Sequence, residues 1–356
     1  ALVQPTGDTE ALAALASDRG LLAEERGDVR AALQAYREAL ALRQTVGDPG
    51  WIAESLIDVG HAYYYSGEFD NARVYLQQAA QSYVDLDDRA GAIRAQQGLG
   101  LSDVARGDLA QARTRVEASL RDAEHLQMRE EQSIALAALA ELDRIEGRYA
   151  QGLARAADAL QRFEARADRR GTVEMHLIRA RMWFDLGAPD ELEQELSRID
   201  GAAVGNVEQQ ALLSVRRAEL ALLRGHTDLA LQHAEQAATR AATSGAAQPE
   251  IRAALLRALA LAHGGNAVAA RNALEAARSG LARFASLPMR LDVLEAGLEL
   301  RPDDTAAWAD ARALLAQVPR IGRAWRLGLL GARTSKDAAQ YQDALALSER
   351  ALAQIA

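Results

Sequence analysis

Six histidines, His61, His125, His176, His226, His233 and His263, and the run Tyr63-Tyr64-Tyr65 have the widest chemical reach in this chain. A histidine beside phenols could move protons, and His61 is the histidine so placed. Zinc chemistry would need histidines one helical turn apart, as in H-E-x-x-H, and no pair has that spacing. His226 and His233 stand seven apart, but His226 falls in a bend between two helical patterns. Cysteine is absent, which removes thiolate metal sites, disulfides and thiol catalysis. No G-x-x-x-x-G-K-[ST] phosphate loop and no G-x-S-x-G elbow occurs, and Lys336, the only lysine, follows no glycine-rich strand end. Carboxylate pairs such as Glu24-Glu25 and Glu130-Glu131 lie among arginines, the patterning of a solvated helix. The chain is therefore read as a non-enzyme, with no cofactor and no metal.

The elements that would position any site are helices. Alanine and leucine dominate, aromatics are 4%, and nothing alternates over a strand's length. Glycine recurs at Gly27, Gly67, Gly107, Gly147, Gly187, Gly225 and Gly265, a period of about 40 residues. Each falls between two helical patterns, where its freedom to take positive φ would end one helix and start the next. Seven residues before each glycine stands a small residue: Gly20, Gly60, Gly100, Ala140, Ala180, Ala218 and Ala258. Five after it come Ala32, Ala72, Ala112, Gly152, Ala230 and Ala270; twelve after it, Ala39, Ala79, Ser119, Ala159, Ala237 and Ala277. Small residues at these places let two antiparallel helices pack closely, and a larger side chain would overpack them at about 1–3 kcal/mol.

The pattern small–x6–Gly–x–aromatic–x2–Ala–x6–Ala resembles the tetratricopeptide repeat. "GDVRAALQAYREAL" at Gly27–Leu40 and "GEFDNARVYLQQAA" at Gly67–Ala80 look like its second half. The period is longer than the usual 34 residues and is similar to the long-helix versions found in helical sensor domains of bacterial regulators. The resemblance implies an all-α fold, an α-α superhelix of about nine antiparallel hairpins bending near 27, 67, 107, 147, 187, 225, 265, 302 and 337. The around-Gly187 hairpin departs from the pattern, with Pro189 for the aromatic and Leu192 for the alanine. Leu287–Leu300 and Thr305–Gln317 read as an eighth hairpin bending at Arg301-Pro302-Asp303, and Arg320–Ala332 with Ala338–Ile355 as a ninth. Residues 1–10 read as a tail and 11–356 as one solenoid domain, each hairpin touching mainly its neighbours in a quasi-linear stack.

In that family the first helix of each hairpin lines the concave face. Carried over by offset from the glycine, the resemblance places His61, Tyr64, Tyr65, Arg94, Gln97, Glu141, Arg144, Glu174, Arg181, Phe184, Asp185, Arg216, Glu219 and Arg252 there. Arginines would fork onto carboxylates, and tyrosines offer area at low entropy cost. Tyr64, Tyr65 and the arginines could equally be packing or solvated surface. The lysine–asparagine clamp that chaperone-binding members use on C-terminal carboxylates is missing.

The expected function is a scaffold or sensor that grips a protein or peptide, within a larger bacterial regulator such as a transcription regulator or kinase. Self-association is the alternative, through apolar Leu352 and Ile355 at the last hairpin, as is a small-molecule sensor. A net charge of −9 disfavours nucleic acid. No run of apolar residues is long enough for a membrane span. The absence of cysteine fits the cytoplasm and leaves the periplasm open. The first residue, Ala1, is not methionine, so a piece of a longer protein is expected.

Overall fold

A computed structural model describes residues 8–199, 206–318 and 322–334, together with Gln342, Leu345 and Ala346. These residues form seventeen helices and no strand. The first four hairpins pair α1 (Thr9–Arg26) with α2 (Val29–Val46), α3 (Pro49–Ser66) with α4 (Phe69–Asp85), α5 (Arg89–Arg106) with α6 (Leu109–His125), and α7 (Arg129–Ile145) with α8 (Tyr149–Ala165). The next four pair α9 (Arg169–Asp185) with α10 (Pro189–Ile199), α11 (Val207–Leu223) with α12 (Thr227–Ser244), α13 (Ala247–His263) with α14 (Ala267–Gly280), and α15 (Leu287–Leu300) with α16 (Thr305–Gln317). Helix α17 (Ala324–Thr334) opens the ninth hairpin; its expected bend near 337 and second helix, with Leu352 and Ile355, lie outside the described residues.

All seven phased glycines sit at hairpin bends with positive φ, between 68° and 95°. The bends between hairpins have the same geometry: Gly47 and Gly245, but also Asp87, Gln127 and Ala167, are left-handed. At most of these bends, though not at Gly47 or Gly245, the residue after the left-handed one bonds back five places, as in Asp28 N–H to Ala23 O (2.8 Å) and Asp88 N–H to Tyr83 O (2.9 Å). An N-cap follows at once. Asp28, Asp48, Asp88 and Asp168 each accept a hydrogen bond from the first turn of the next helix. Asp8 does the same for α1, which therefore starts at Thr9 within the expected tail.

Inside each hairpin the small residues are buried as their spacing requires. Ala32, Ala72, Ala112, Ala230 and Ala270 are at most 3% exposed, and Ala39, Ala79, Ala159, Ala237 and Ala277 at most 1%. The need for smallness is steric: a Cβ on Gly20 would lie 2.5 Å from Tyr36 Cδ1, and one on Gly60 2.6 Å from Leu76 Cγ. In the fifth hairpin Pro189 takes the first position of α10, and Leu192 fills the alanine's place fully buried against Leu196, Ile199 and Val173.

Each hairpin packs mainly against its neighbours, as expected of such a stack. The stack also coils until its first hairpins meet its last ones. Gly27 lies against Glu208, where an added Cβ would come within 2.8 Å of the backbone nitrogen, and Asn206 donates to Glu25 O at 3.0 Å. Phe284, in the loop after α14, covers Gly67 and stacks edge-on against Phe69 at 5.1 Å. Gly107 faces Val318 and Leu287, and Gly322 N–H bonds to Ile145 O at 2.8 Å. One apolar cluster accordingly joins Val104, Leu109 and Leu139 to Leu291, Trp308 and Leu327. Each buried Leu or Trp there is worth about 1.5–3 kcal/mol, more than enough to hold successive superhelical turns together. Gly27 and Gly67 thus serve twice, as left-handed bends and as seats for the next turn.

Candidate functional site

Coiling turns the first helix of each hairpin inward, so the concave face becomes the wall of a narrow lumen. The expected face residues divide by how far this encloses them. Arg94 remains exposed. Gln97 is buried and donates from Nε2 to Glu131 O at 2.8 Å, holding α5 to α7. Tyr64 and Tyr65 are half-buried and meet edge to face at 5.4 Å; Tyr64 also packs on Phe69, and Arg170 lies over the Tyr65 ring. Burial pushes both phenols well above the usual tyrosine range, so both stay protonated. Burial also lowers the pKa of His61, which therefore resists protonation.

The remaining residues join in one ion-pair network. Arg144 donates to Glu141 at 2.7 and 2.8 Å and to Asp185 at 2.8 Å. Arg181 donates to Asp185 at 3.0 Å, to Glu219 at 2.7 Å and to Asp292 at 2.7 Å, and its guanidinium lies beside the Phe184 ring. Arg216 pairs with Glu219, and Arg323 with Asp292 and Glu295. Arg252 contacts Asp292 at 2.9 Å. All are buried except Glu141, which is partly exposed, and Arg323, whose side chain is 12% exposed. Burial alone would raise the acids. Against it, Arg181, Arg323 and Arg144 hold the Asp185 carboxyl down to about 2, and Arg181, Arg252 and Arg323 hold Asp292 lower still. Five arginines here face five carboxylates, so the interior carries pairs and little net charge.

Two clefts open from the lumen. The larger, about 450 Å³ including its open mouth, has this network as its floor and Phe184, Leu255, Leu256, Leu259 and Ala296 as its apolar wall. Charged side chains outnumber apolar ones in its lining, so it is more polar than the usual ligand pocket while still offering one apolar side. The smaller, about 300 Å³, lies where the first hairpin meets α9 and α11, between Tyr36, Tyr65, Arg170, Glu24 and Glu208. Arg170 is held there by Glu24 at 2.8 Å. Burial raises the Glu208 carboxyl to about 7, Arg170 opposing and Glu174 and Glu24 reinforcing it. Burial likewise raises the Glu174 carboxyl, Arg170 opposing and Asp168 and Glu141 reinforcing it.

Of the residues placed by sequence offset, Arg181, Phe184, Glu219 and Arg252 line the larger cleft and Tyr65 the smaller one. The offsets did not find Asp292, Glu295 and Arg323, which complete the network from α15 and the stretch before α17, nor Arg170, Glu24 and Glu208. Arg181 and Asp292 are 111 residues apart, and only the pitch of the superhelix joins them. In the sequence, Asp292 and Glu295 stand with Arg290 and Glu299 as the charged residues of the Leu287–Leu300 helix pattern, with nothing to single them out. No described helix is long and apolar enough to cross a membrane.

No protein-family model and no curated protein sequence matches the chain. Several solved structures share its shape. The Rap conjugation gene regulator of plasmid pLS20, determined in complex with the Phr* peptide, superposes with a TM-score of 0.65 at 15% identity, over 76% of this chain and 73% of that one. A Rap protein complexed with Competence and Sporulation Factor gives 0.63 at 17% identity, over 75% of each chain. The apo quorum sensor NprR from B. thuringiensis gives 0.53 at 12% identity, over 98% of this chain and 99% of that one. The likeness is one of fold: this chain is an all-α, tetratricopeptide-like superhelix of helical hairpins.

Proposed function

We propose that the protein is a peptide-binding sensor, which takes an extended or helical segment of a partner into its lumen and passes the event to a larger regulatory assembly. The observation that carries this reading is the larger cleft. It combines an apolar wall with a dense charged floor, and its sides come from helices α9 to α17 that only the coil brings together. A ligand lying there would touch several hairpins at once and bias the pitch between them, which is how a binding event acquires a global readout. Support comes from the fold shared with a Rap regulator that binds the Phr* peptide. His61, Tyr64, Tyr65, Arg94, Gln97, Glu141, Arg144, Arg181, Phe184 and Arg216 are proposed as the binding wall, in two roles. Phe184 in the larger cleft and Tyr65 in the smaller one would touch a ligand, with Tyr64, His61 and Arg94 as further proposed contacts. Gln97, Glu141, Arg144, Arg181 and Arg216 hold the wall in shape.

The test is a synthetic peptide library screened against the full chain by tryptophan fluorescence, since Trp183 neighbours Phe184. Phe184→Ala should weaken the selected peptides roughly tenfold or more while leaving the helical circular dichroism intact. A library that yields no binder, or a Phe184→Ala protein that binds as well as the parent, overturns the reading. Arg144 and Arg181 are poor probes, because removing a partner from a buried pair costs about 3–5 kcal/mol of stability before any ligand is considered.

A further inference from the structure

We propose that the larger cleft is a carboxylate-receiving subsite, in which Arg252 takes a carboxylate that the bound peptide carries next to an apolar side chain. The assignment rests on the peptide-binding reading and names the chemistry of its ligand. What carries it is the state of Arg252. The residue is 4% exposed and lines the cleft, yet its Nε and Nη1 are buried without a hydrogen-bond partner. Its acidic neighbours meet it only as ion contacts at Nη1, Asp292 Oδ2 at 2.9 Å without hydrogen-bond alignment and Glu219 Oε1 at 4.0 Å.

The rest of the network is better served. Arg144, Arg181, Arg216 and Arg323 each donate to at least one carboxylate. Asp185, Glu219 and Asp292 each accept from at least one guanidinium, and Glu295 is paired with Arg323. Arg216 also keeps an unpartnered Nε but does not line the cleft, so Arg252 is the arginine of the cleft wall that makes no hydrogen bond, and a planar guanidinium offers its donors as a fork that matches a carboxylate. Its surroundings agree. Burial, and then repulsion from Arg181, hold its pKa down to about 9 in spite of Asp292, with Arg216 adding to the repulsion. An arriving anion would relieve both effects.

One unpartnered acceptor lies close by, at Glu295 Oε1. Glu295 is already neutralised through Oε2 by Arg323, so Oε1 is suited to a peptide N–H group rather than to a second cation. Leu255, Leu256, Leu259 and Phe184 stand beside the charged floor and would cover an aliphatic or aromatic side chain. A carboxylate in that setting comes either from a peptide's C-terminus or from an acidic side chain with an apolar neighbour.

The test uses one hexapeptide library in two forms, C-terminal free acid and C-terminal amide, against the full chain. If the C-terminus is the source, free acids should bind about ten- to a hundredfold more tightly than their amides, the range of a charge-assisted pair in a buried site. Arg252→Gln should bring the free acid down to the amide's level and leave amide binding unchanged. If acid and amide bind alike, but replacing Asp or Glu within a selected peptide by Asn or Gln costs tenfold or more in the parent and nothing in Arg252→Gln, the side chain is the source and the subsite stands. Peptides that bind well and lose nothing from either change overturn the subsite while leaving the peptide-binding reading in place. A library without binders in either form overturns both. The acid–amide comparison and the Asn or Gln replacements within the peptide need only the parent protein, so together they decide whether a carboxylate is read even if Arg252→Gln fails to fold.

Discussion

Arg181 and Asp292 offer the sharpest test of how this superhelix is held. They lie on α9 and α15, 111 residues apart, and Arg181 Nη2 donates to Asp292 Oδ1 at 2.7 Å with both side chains at most 7% exposed. The perturbation is Arg181→Gln and Asp292→Asn, singly and together. Two unit charges about 4 Å apart at an effective dielectric near 20 attract by about 4 kcal/mol. Asp292 shares its charge among Arg181, Arg252 and Arg323, and Arg181 keeps Asp185 and Glu219, so part of that attraction survives in each single variant. A coupling of about 1–3 kcal/mol is therefore expected, with each single change costing about 3 kcal/mol because it leaves a buried partner short of counter-charge. Urea unfolding of the four proteins measures it, and amide exchange should speed up in both α9 and α15 in either single variant. Effects that add to within about 0.5 kcal/mol would refute the reasoning, since they would mean that the two helices do not meet in solution.

Three further outcomes follow from the same structure. Gly60→Ala should cost about 1–3 kcal/mol in thermal unfolding, because the new methyl would strike Leu76, whereas Gly47→Ala should cost about 1 kcal/mol, from its φ of 86° alone, since nothing lies within 4 Å. Asp185 and Glu195 are both held down to about 2, Asp185 by Arg181, Arg323 and Arg144, and Glu195 by hydrogen bonds from His176 and Arg179, each against a burial effect that opposes the shift. Their contribution is present above the unfolded carboxylate range and is lost as pH falls through the folded values, so melting temperature should drop steadily from pH 4 to pH 2, and less steeply in Glu195→Gln. Asp58 has the opposite sign: burial, reinforced by Glu54 and opposed by Arg43, raises it to about 7, so its contribution is full below pH 4 and is lost by pH 7. Asp58→Asn should then raise the melting temperature at pH 8 and leave it unchanged at pH 4; an unchanged value at pH 8 would refute the assignment.

The residues that were legible from sequence are those whose role is settled within one hairpin. Gly27 or Gly67 at a bend, Asp28 or Asp48 as the following cap, and Ala32, Ala72 or Gly60 at the helix crossing act over less than about twenty residues, and each type has one dominant physical reason to be where it is. Three of the twelve left-handed bends among the described residues carry no glycine: Asp87, Gln127 and Ala167. The glycine phase alone therefore marks the forty-residue hairpin, and the bends between hairpins are marked less regularly by residue type.

By itself, then, the sequence determined the fold class, the hairpin positions and which face of each pair is small. Only the tertiary structure decided that the stack closes on itself, and with it the fate of the concave arginines. Rotation between neighbouring hairpins is small, but it accumulates, and the pitch that results brings Glu24 to Arg170, Phe69 to Phe284 and Arg181 to Asp292. No local signal records that sum. Arg144, Arg181 and Arg216 consequently read alike as groove arginines, either for a partner's carboxylates or as solvated surface, and are instead buried in ion pairs because the chain returns to cover them.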